Sequence, residues 1–209
     1  MKKILTILVL AMVATSFAKV TVNKSIRVKA GERRSSGCTT VNGSILVEND
    51  AQLGGRCKSV NGSIKLERDC VVDGIATVNG SIRVAEECDI EDDIESVNGS
   101  IRCFDGVVVD GNVQSVNGGM HLEGVTVKGD ITNYNGDITL ERGCTVFDDI
   151  IIKDRKGNDN RNKPLEIIID DSVVNGNVIN RDDKTEVVVY LLNGGKVKGN
   201  IKNAKVERD

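Results

Sequence analysis

"VNGSI" occurs at residues 41–45, 60–64, 78–82 and 97–101. Weaker copies follow as "VNGGM" at 116–120 and "YNGDI" at 134–138, and a degenerate "VNKSI" precedes them at 22–26. From the first residue of one copy to the first residue of the next, the interval is 18 or 19 residues throughout. A fixed period near 20 residues is the sequence signature of a repeat architecture.

Each repeat contains two halves whose apolar residues alternate with polar ones. The first half reads V-N-G-S-I-x-V, and the second reads V-x-G-x-I, as in "VDGNV" at 109–113 and "VKGDI" at 127–131. This is the period of a β-strand, and no 3.6-residue period is sustained after the first residues. The pattern predicts an all-β fold, a single-stranded parallel β-helix (solenoid) of eight or nine coils with 18–19 residues per coil. An antiparallel sheet or β-sandwich is the alternative, but its hairpin loops would vary in length.

The first 18 residues are typical of a signal peptide. Lys2 and Lys3 precede an apolar run at 4–14, and the small-x-small sequence at 16–18 predicts cleavage after Ala18. The run is too short to span a membrane. We expect residues 19–209 to form one exported β-helix domain, located in the periplasm or at the cell surface. The polar stretch "KDRKGNDNRNKP" at 153–164 predicts a loop excursion.

Composition argues against two classes of function. Without Lys2 and Lys3, 26 Lys and Arg side chains face 31 Asp and Glu, whereas a nucleic-acid partner requires a strongly basic face. No catalytic motif occurs, no carboxylate breaks the regular pattern, and four aromatic residues remain after the signal peptide. We therefore predict a protein that is not an enzyme and has no cofactor. The alternative is a polysaccharide-binding or polysaccharide-degrading β-helix with a site near the 153–164 loop.

The sequence does not predict a metal site. No C-x-x-C pair occurs and His121 is the only histidine, so zinc is not predicted. The loop lacks the residue order of a calcium site, although its oxygen ligands have the right chemistry. These oxygen ligands would be Asp154, Asn158, Asp159 and Asn160.

The Asn-Gly pair of each motif is well suited to a bend in which the backbone φ is positive. We interpret the pairs as the bends of successive coils, with the Asn side chains stacked in a hydrogen-bonded column. A sugar-binding amide ladder is the alternative. The bend residues are Asn42, Gly43, Asn61, Gly62, Asn79, Gly80, Asn98, Gly99, Asn117, Gly118, Asn135 and Gly136.

Four cysteines fall at matching positions of consecutive repeats, Cys38 with Cys57 and Cys70 with Cys88. Matching positions in adjacent coils are ~4.8 Å apart, within the Cα–Cα range of a disulfide. Because exported proteins keep such bonds, the spacing predicts Cys38–Cys57 and Cys70–Cys88 disulfides, with stacked reduced thiols as the alternative. The other two cysteines, at 103 and 144, share no position and should stay free.

Outward side chains are also predicted to form columns. A basic column comprises Lys65, Arg83 and Arg102, continued by His121 and flanked by Glu48, Glu67, Glu123 and Glu141. An acidic column comprises Asp73, Glu91 and Asp110, with Asp93, Asp130 and Asp149 two positions further along. We expect solvated faces that allow solenoids to associate side to side, more weakly as salt rises.

The run at 78–131, "VNGSIRVAEECDIEDDIESVNGSIRCFDGVVVDGNVQSVNGGMHLEGVTVKGDI", resembles bacterial exported β-strand-repeat proteins described as adhesins. It is also similar to the bactofilins, polymer-forming cytoskeletal proteins whose right-handed β-helices carry V-x-G-x-I rungs. The resemblance covers residues 20–152 well and 165–203 loosely, and it implies a right-handed coil. Because the bactofilins are largely cytosolic, we expect instead a structural or adhesive module of the cell envelope. Its partners would be other copies of itself, side to side or end to end, or an envelope glycan or protein.

Overall fold

The computed structural model describes residues 20–154 and 163–209. The described chain winds into a parallel β-solenoid of about ten turns, each of about 19 residues. The predicted fold class is confirmed, but the expected eight or nine coils were too few. The strands Ile26–Val28 and Lys205–Arg208, near the two ends of the described chain, pair with neighbouring coils. They therefore belong to additional turns of the solenoid.

Each turn contributes one short strand to each of three parallel sheets. Sheet A, before the motif bend, comprises Val20–Thr21, Cys38–Thr40, Cys57–Ser59, Ile75–Thr77, Ile94–Ser96, Val113–Ser115, Ile131–Asn133, Ile150–Ile152, Val178–Asn180 and Ile201–Lys202. Sheet B, after the bend, comprises Ile26–Val28, Ile45–Val47, Ile64–Leu66, Ile82–Val84, Ile101–Cys103, Met120–Glu123, Ile138–Glu141, Leu165–Asp170, Val187–Leu192 and Lys205–Arg208. Sheet C closes the turn with Arg33–Arg34, Gln52–Leu53, Val71–Val72, Asp89–Ile90, Val108–Val109, Thr126–Val127, Thr145–Val146, Val173–Val174 and Lys196–Val197.

The core consists of aliphatic side chains stacked in register. Ile64 and Leu66 pair with Ile82 and Val84 of the next coil, and all four are buried. Burying an Ile or Leu side chain contributes roughly 1.5–3 kcal/mol. No aromatic residue belongs to the described core, so regular repetition of branched side chains takes the place of large rings.

The motif glycines are required for a different reason from the one predicted. None of the glycines of the six Asn-Gly pairs has a positive φ. Instead, a Cβ atom on Gly80 would overlap the carbonyl oxygen of Gly62 in the preceding coil. Among the described residues, positive φ values occur at the corner between sheets B and C, as at Asp50 and Asp69, with Asn23 and Asn203 as the exceptions. The Asn-Gly corner therefore needs glycine because the coils approach each other closely there.

The motif valine does not enter the main core. Ile64 does so, but Val78 and Val97 pack with Ala76 in a separate small cluster. Thr77, which precedes Val78, points inward and is fully buried, so strand alternation turns the valine outward. Of the two apolar residues of the motif, only the Ile therefore lies in the main core.

Buried hydroxyls before the motif valine fix the bend to the neighbouring coil. The Ser59 hydroxyl donates to the carbonyl of Gly43 at 2.9 Å, and the Thr77 hydroxyl donates to that of Gly62 at 3.1 Å. These bonds satisfy carbonyls that would otherwise lack a partner at the turn. Sequence reasoning missed this column, although a Ser or Thr precedes each VNGSI valine.

Two predicted segments lie outside the described residues, wholly or in part. They are the signal peptide at 1–18 and positions 155–162 of the loop excursion. In the remaining chain, no helix is long and apolar enough to cross a membrane.

Candidate functional site

A continuous ladder of asparagine amides runs along the corner between sheets A and B. The side-chain amide of Asn61 donates to Oδ1 of Asn42 at 2.7 Å, and that of Asn79 donates to Asn61 at 2.8 Å. The same bond is repeated at every step from Asn23 to Asn117. The predicted column is present over this stretch, and each internal amide uses one donor and one acceptor to join coils.

The last predicted member of the ladder, Asn135, is bonded differently. Its backbone amide donates to Oδ1 of Asn133 at 3.3 Å. Asn133 also donates its side-chain amide to the carbonyls of Gly118 and Gly136. At this coil a buried asparagine takes the place of the Ser or Thr found in earlier coils.

A second polar ladder follows the corner between sheets C and A. Oδ1 of Asp93 accepts the backbone N–H of Asn112 at 2.7 Å, and Oδ1 of Asn112 accepts that of Asp130 at 2.9 Å. The series continues from Asp130 to Asp149 and on to Asn177. The carboxylates at 93, 130 and 149, predicted as an outward acidic column, therefore hold consecutive coils together.

The basic column lies on the outer face of sheet B. Lys65, Arg83 and Arg102 are successive partners in register, and all three are exposed. The Lys65 ammonium is 3.3 Å from Glu67, and the Arg83 guanidinium lies 4.1 Å from the centre of the Phe104 ring. Arg102 forms no ion pair with any described residue, so this column retains charge for a partner.

Each residue of the acidic column directly follows a strand of sheet C. The amides of Glu91 and Asp110 bond to the preceding coil, which places these two residues in line with Asp73. In the next coil, Lys128 occupies the equivalent position, and its ammonium is 2.7 Å from Asp110. The basic and acidic columns thus lie on different faces and do not form one site.

Sheet A carries a charged group that sequence reasoning missed. Lys58 is only 7% exposed although it points outward, and its register neighbour is Ala76. Burial lowers the pKa of Lys58, and nearby Arg56 lowers it further, whereas Glu95 acts in the opposite direction. Arg56 instead forms ion pairs with Asp92 at 3.2 Å and Glu95 at 3.1 Å. The sequence feature that could have indicated this group is a lysine two residues before a motif valine.

The six cysteines are buried free thiols. The register predicted for two pairs of cysteines is correct. Cys38 and Cys57 are Cα partners, and the Cys70 amide lies 3.4 Å from the Cys88 sulfur. No disulfide is formed in either pair in the described chain. The structure therefore corresponds to the reduced alternative, and oxidation of the pairs stays a prediction.

Hydrogen bonding gives a physical reason for reduced thiols at one of these positions. The Cys70 thiol donates to the carbonyl of Glu48 at 3.1 Å, and the Cys144 thiol donates to that of Leu122 at 3.2 Å. Ser172 occupies the same column and accepts the amide of Cys144. Thiols in this column therefore act as serine-like donors at the corner between sheets B and C.

Only one of the four candidate calcium ligands lies in the part of the chain that the structure describes. Asp154 is exposed, whereas Asn158, Asp159 and Asn160 lie outside the described part of the chain. Across residues 20–154 and 163–209, no three His, Cys, Asp or Glu side chains are grouped so as to hold a metal ion.

Comparison with protein-family models, curated proteins and solved structures finds no match to this chain. The similarity to adhesins and bactofilins thus remains a resemblance in rung pattern. The parallel β-solenoid itself follows from the strand register described above.

Proposed function

We propose that this protein is an exported, non-enzymatic structural or adhesive module of the bacterial cell envelope. The proposal depends mainly on one observation, that exposed charges stand in straight columns while corner side chains bond one coil to the next. Such a surface repeats every ~4.8 Å. It suits a partner that is itself repetitive, either another solenoid or a polymeric glycan.

Opposite charge makes a second copy of the solenoid the partner we favour. The basic and acidic columns each extend over three coils and lie on different faces. The basic column of one molecule therefore has the length and spacing to align with the acidic column of another. Exposed ion pairs contribute roughly 0–1 kcal/mol each, so the association should be weak and should decrease as salt rises.

Sedimentation velocity at low and high salt tests this self-association. Arg102→Glu should reduce the associated fraction at low salt because it reverses the charge of an unpaired member of the basic column. Arg181→Glu is the matched control, since it makes the same charge change at another exposed residue. A monomer at every salt concentration, or equal losses in both variants, would contradict association through these columns.

Glycan binding and turnover are distinguished in a separate experiment. The protein is incubated with cell-wall and capsular polysaccharides, and both bound protein and released saccharide are measured. Binding without release supports an adhesive module. Release that is lost in Asp154→Asn supports the polysaccharide-degrading alternative. Electron microscopy of the purified protein shows whether it also forms polymers.

A further inference from the structure

An arginine occupies a core position in the first coil. Arg34 is the register partner of Leu53, which in turn pairs with Val72. Both of these aliphatic residues are buried, so Arg34 begins a column that otherwise points into the core. A charged residue at a position patterned for aliphatic ones departs from the local rule, and such departures concentrate at functional or strained sites.

The arginine places its guanidinium against the first of two stacked thiols. Nη1 of Arg34 is 3.8 Å from Sγ of Cys38, and Nε is 2.7 Å from Oε1 of Glu32. Cys38 is 3% exposed, and Cys57 in the next coil is completely buried. The Arg34 side chain is 34% exposed, so the polar neighbour of the thiol is itself in contact with solvent.

This arrangement makes the two thiols unequal. The hydrogen bond with Cys57 lowers the pKa of Cys38 to about 7, and Arg34 contributes to the decrease, while burial and the charge of Glu32 oppose it. The same hydrogen bond and burial raise the pKa of Cys57 well above its ordinary value. Cys38 is therefore the more acidic thiol of the pair, and Cys57 is the one that retains its proton.

We propose that Cys38 and Cys57 form a redox-active dithiol whose substrate is a small disulfide. The Cys38 thiolate attacks one substrate sulfur, forming a mixed disulfide and releasing the first thiolate. Cys57 passes its proton to the released thiolate and attacks Sγ of Cys38, which forms the Cys38–Cys57 bond, breaks the mixed disulfide and releases the second thiolate, which takes a proton from water. Overall, two cysteine thiols and one disulfide become one protein disulfide and two small thiols, so the protein is oxidised by two electrons. The proposal does not depend on the envelope function proposed above.

The second cysteine pair provides a matched control within the same chain. Cys70 and Cys88 also lie in adjacent coils, and both are completely buried. The hydrogen bond with Cys88 lowers the pKa of Cys70, as Cys57 does for Cys38, but burial and the acids Asp50 and Glu67 oppose the decrease and no cation contributes to it. The Cys70 thiol already donates to a main-chain carbonyl. This pair therefore has the spacing of the first pair without its neighbouring cation.

The test follows oxidation of the full chain by oxidised glutathione at neutral pH, with acid quenching and peptide mass mapping. A lower thiol pKa increases the thiolate fraction more than it decreases the nucleophilicity of the thiolate, and only Cys38 has a neighbouring cation that adds to this effect. We therefore expect the Cys38–Cys57 disulfide to form about twofold faster than Cys70–Cys88, or more. Equal rates, or faster oxidation of the second pair, would overturn the proposal.

Single substitutions assign the two roles. In Cys57→Ser, glutathione should accumulate on Cys38 as a mixed disulfide because the resolving thiol is missing. In Cys38→Ser, Cys57 should stay unmodified over the same time. Absence of glutathione on Cys38 in the first variant, with circular dichroism showing an intact fold, counts against the proposal.

Arg34 is a positioning residue whose effect is read from a pH profile. Arg34→Met keeps an apolar stem over the core but removes the cation, so the midpoint pH for modification of Cys38 should rise. Arg34→Lys retains a cation and should keep the midpoint closer to that of the natural protein. An unchanged midpoint in a folded Arg34→Met variant would remove Arg34 from the proposed site.

Discussion

Asn79 donates its side-chain amide to Asn61 at 2.8 Å, while its own Oδ1 accepts the amide of Asn98 at 2.8 Å. One side chain thus bonds to the coil before it and the coil after it. Asn79→Ala removes both bonds, and because the residue is exposed, water compensates only in part. We expect the free energy of unfolding to fall by about 1–2 kcal/mol, measured by chemical denaturation.

The end of the ladder provides the control for that measurement. Asn117 donates to Asn98 at 2.8 Å and makes the last amide-to-amide bond of the described ladder. Asn117→Ala should therefore cost about half as much as Asn79→Ala. Equal costs would show that the asparagines stabilise their bends individually and not as a ladder.

Gly80→Ala tests the requirement for close approach between coils. Its Cβ would overlap the backbone of Gly62, which cannot move aside as a flexible side chain would. We expect a loss of about 3 kcal/mol or more in the free energy of unfolding. Gly143→Ala is the control, since φ there is +81° but no atom lies within 4 Å of the added carbon, and it should cost only about 1–2 kcal/mol. A larger cost at Gly143 would restore positive φ as the dominant reason for glycine in these coils.

The sequence predicts the structural features that depend on the repeat period, such as the register. It does not predict the features that depend on the distance between coils. The 19-residue interval from Cys38 to Cys57 was sufficient to place these residues in register. The same interval does not show that coils almost touch at Gly80, nor that the Asp93 carboxylate accepts a backbone amide from the next coil. Arg34 was visible as a charged residue at an aliphatic position, but only the structure reveals its contact with Cys38.

Lys58→Met should stabilise the protein. Lys58 is 7% exposed and forms no ion pair with a described residue, and burial lowers the pKa of its ammonium. An ammonium on a largely buried side chain loses part of its hydration, which costs free energy, whereas methionine retains the apolar stem. We expect a gain of about 1 kcal/mol at neutral pH, measured by thermal unfolding.

Lys65→Met is the control for that substitution, because Lys65 is exposed and paired with Glu67. Its effect should stay within about 0.5 kcal/mol in either direction. The sign for Lys58 follows from its lowered pKa, since protonation at neutral pH opposes folding and this penalty decreases as pH rises towards the unfolded value. Destabilisation by Lys58→Met at neutral pH would indicate that the ammonium has a stabilising partner.

Cys103→Val should make stability less sensitive to alkaline pH. Burial raises the pKa of Cys103, so the folded protein keeps this proton at pH values where the unfolded chain, with a thiol pKa of about 8.5, has lost it. The stabilising contribution is therefore complete below that value and decreases as pH rises, by about 1.4 kcal/mol per pH unit for each such thiol. Valine fits because the register neighbours are Val84 and Leu122. Denaturation curves collected from neutral to alkaline pH should show a constant difference between variant and natural protein at first, and then a shallower decline for the variant. Parallel declines throughout would show that Cys103 ionises in the folded protein as readily as in the unfolded chain.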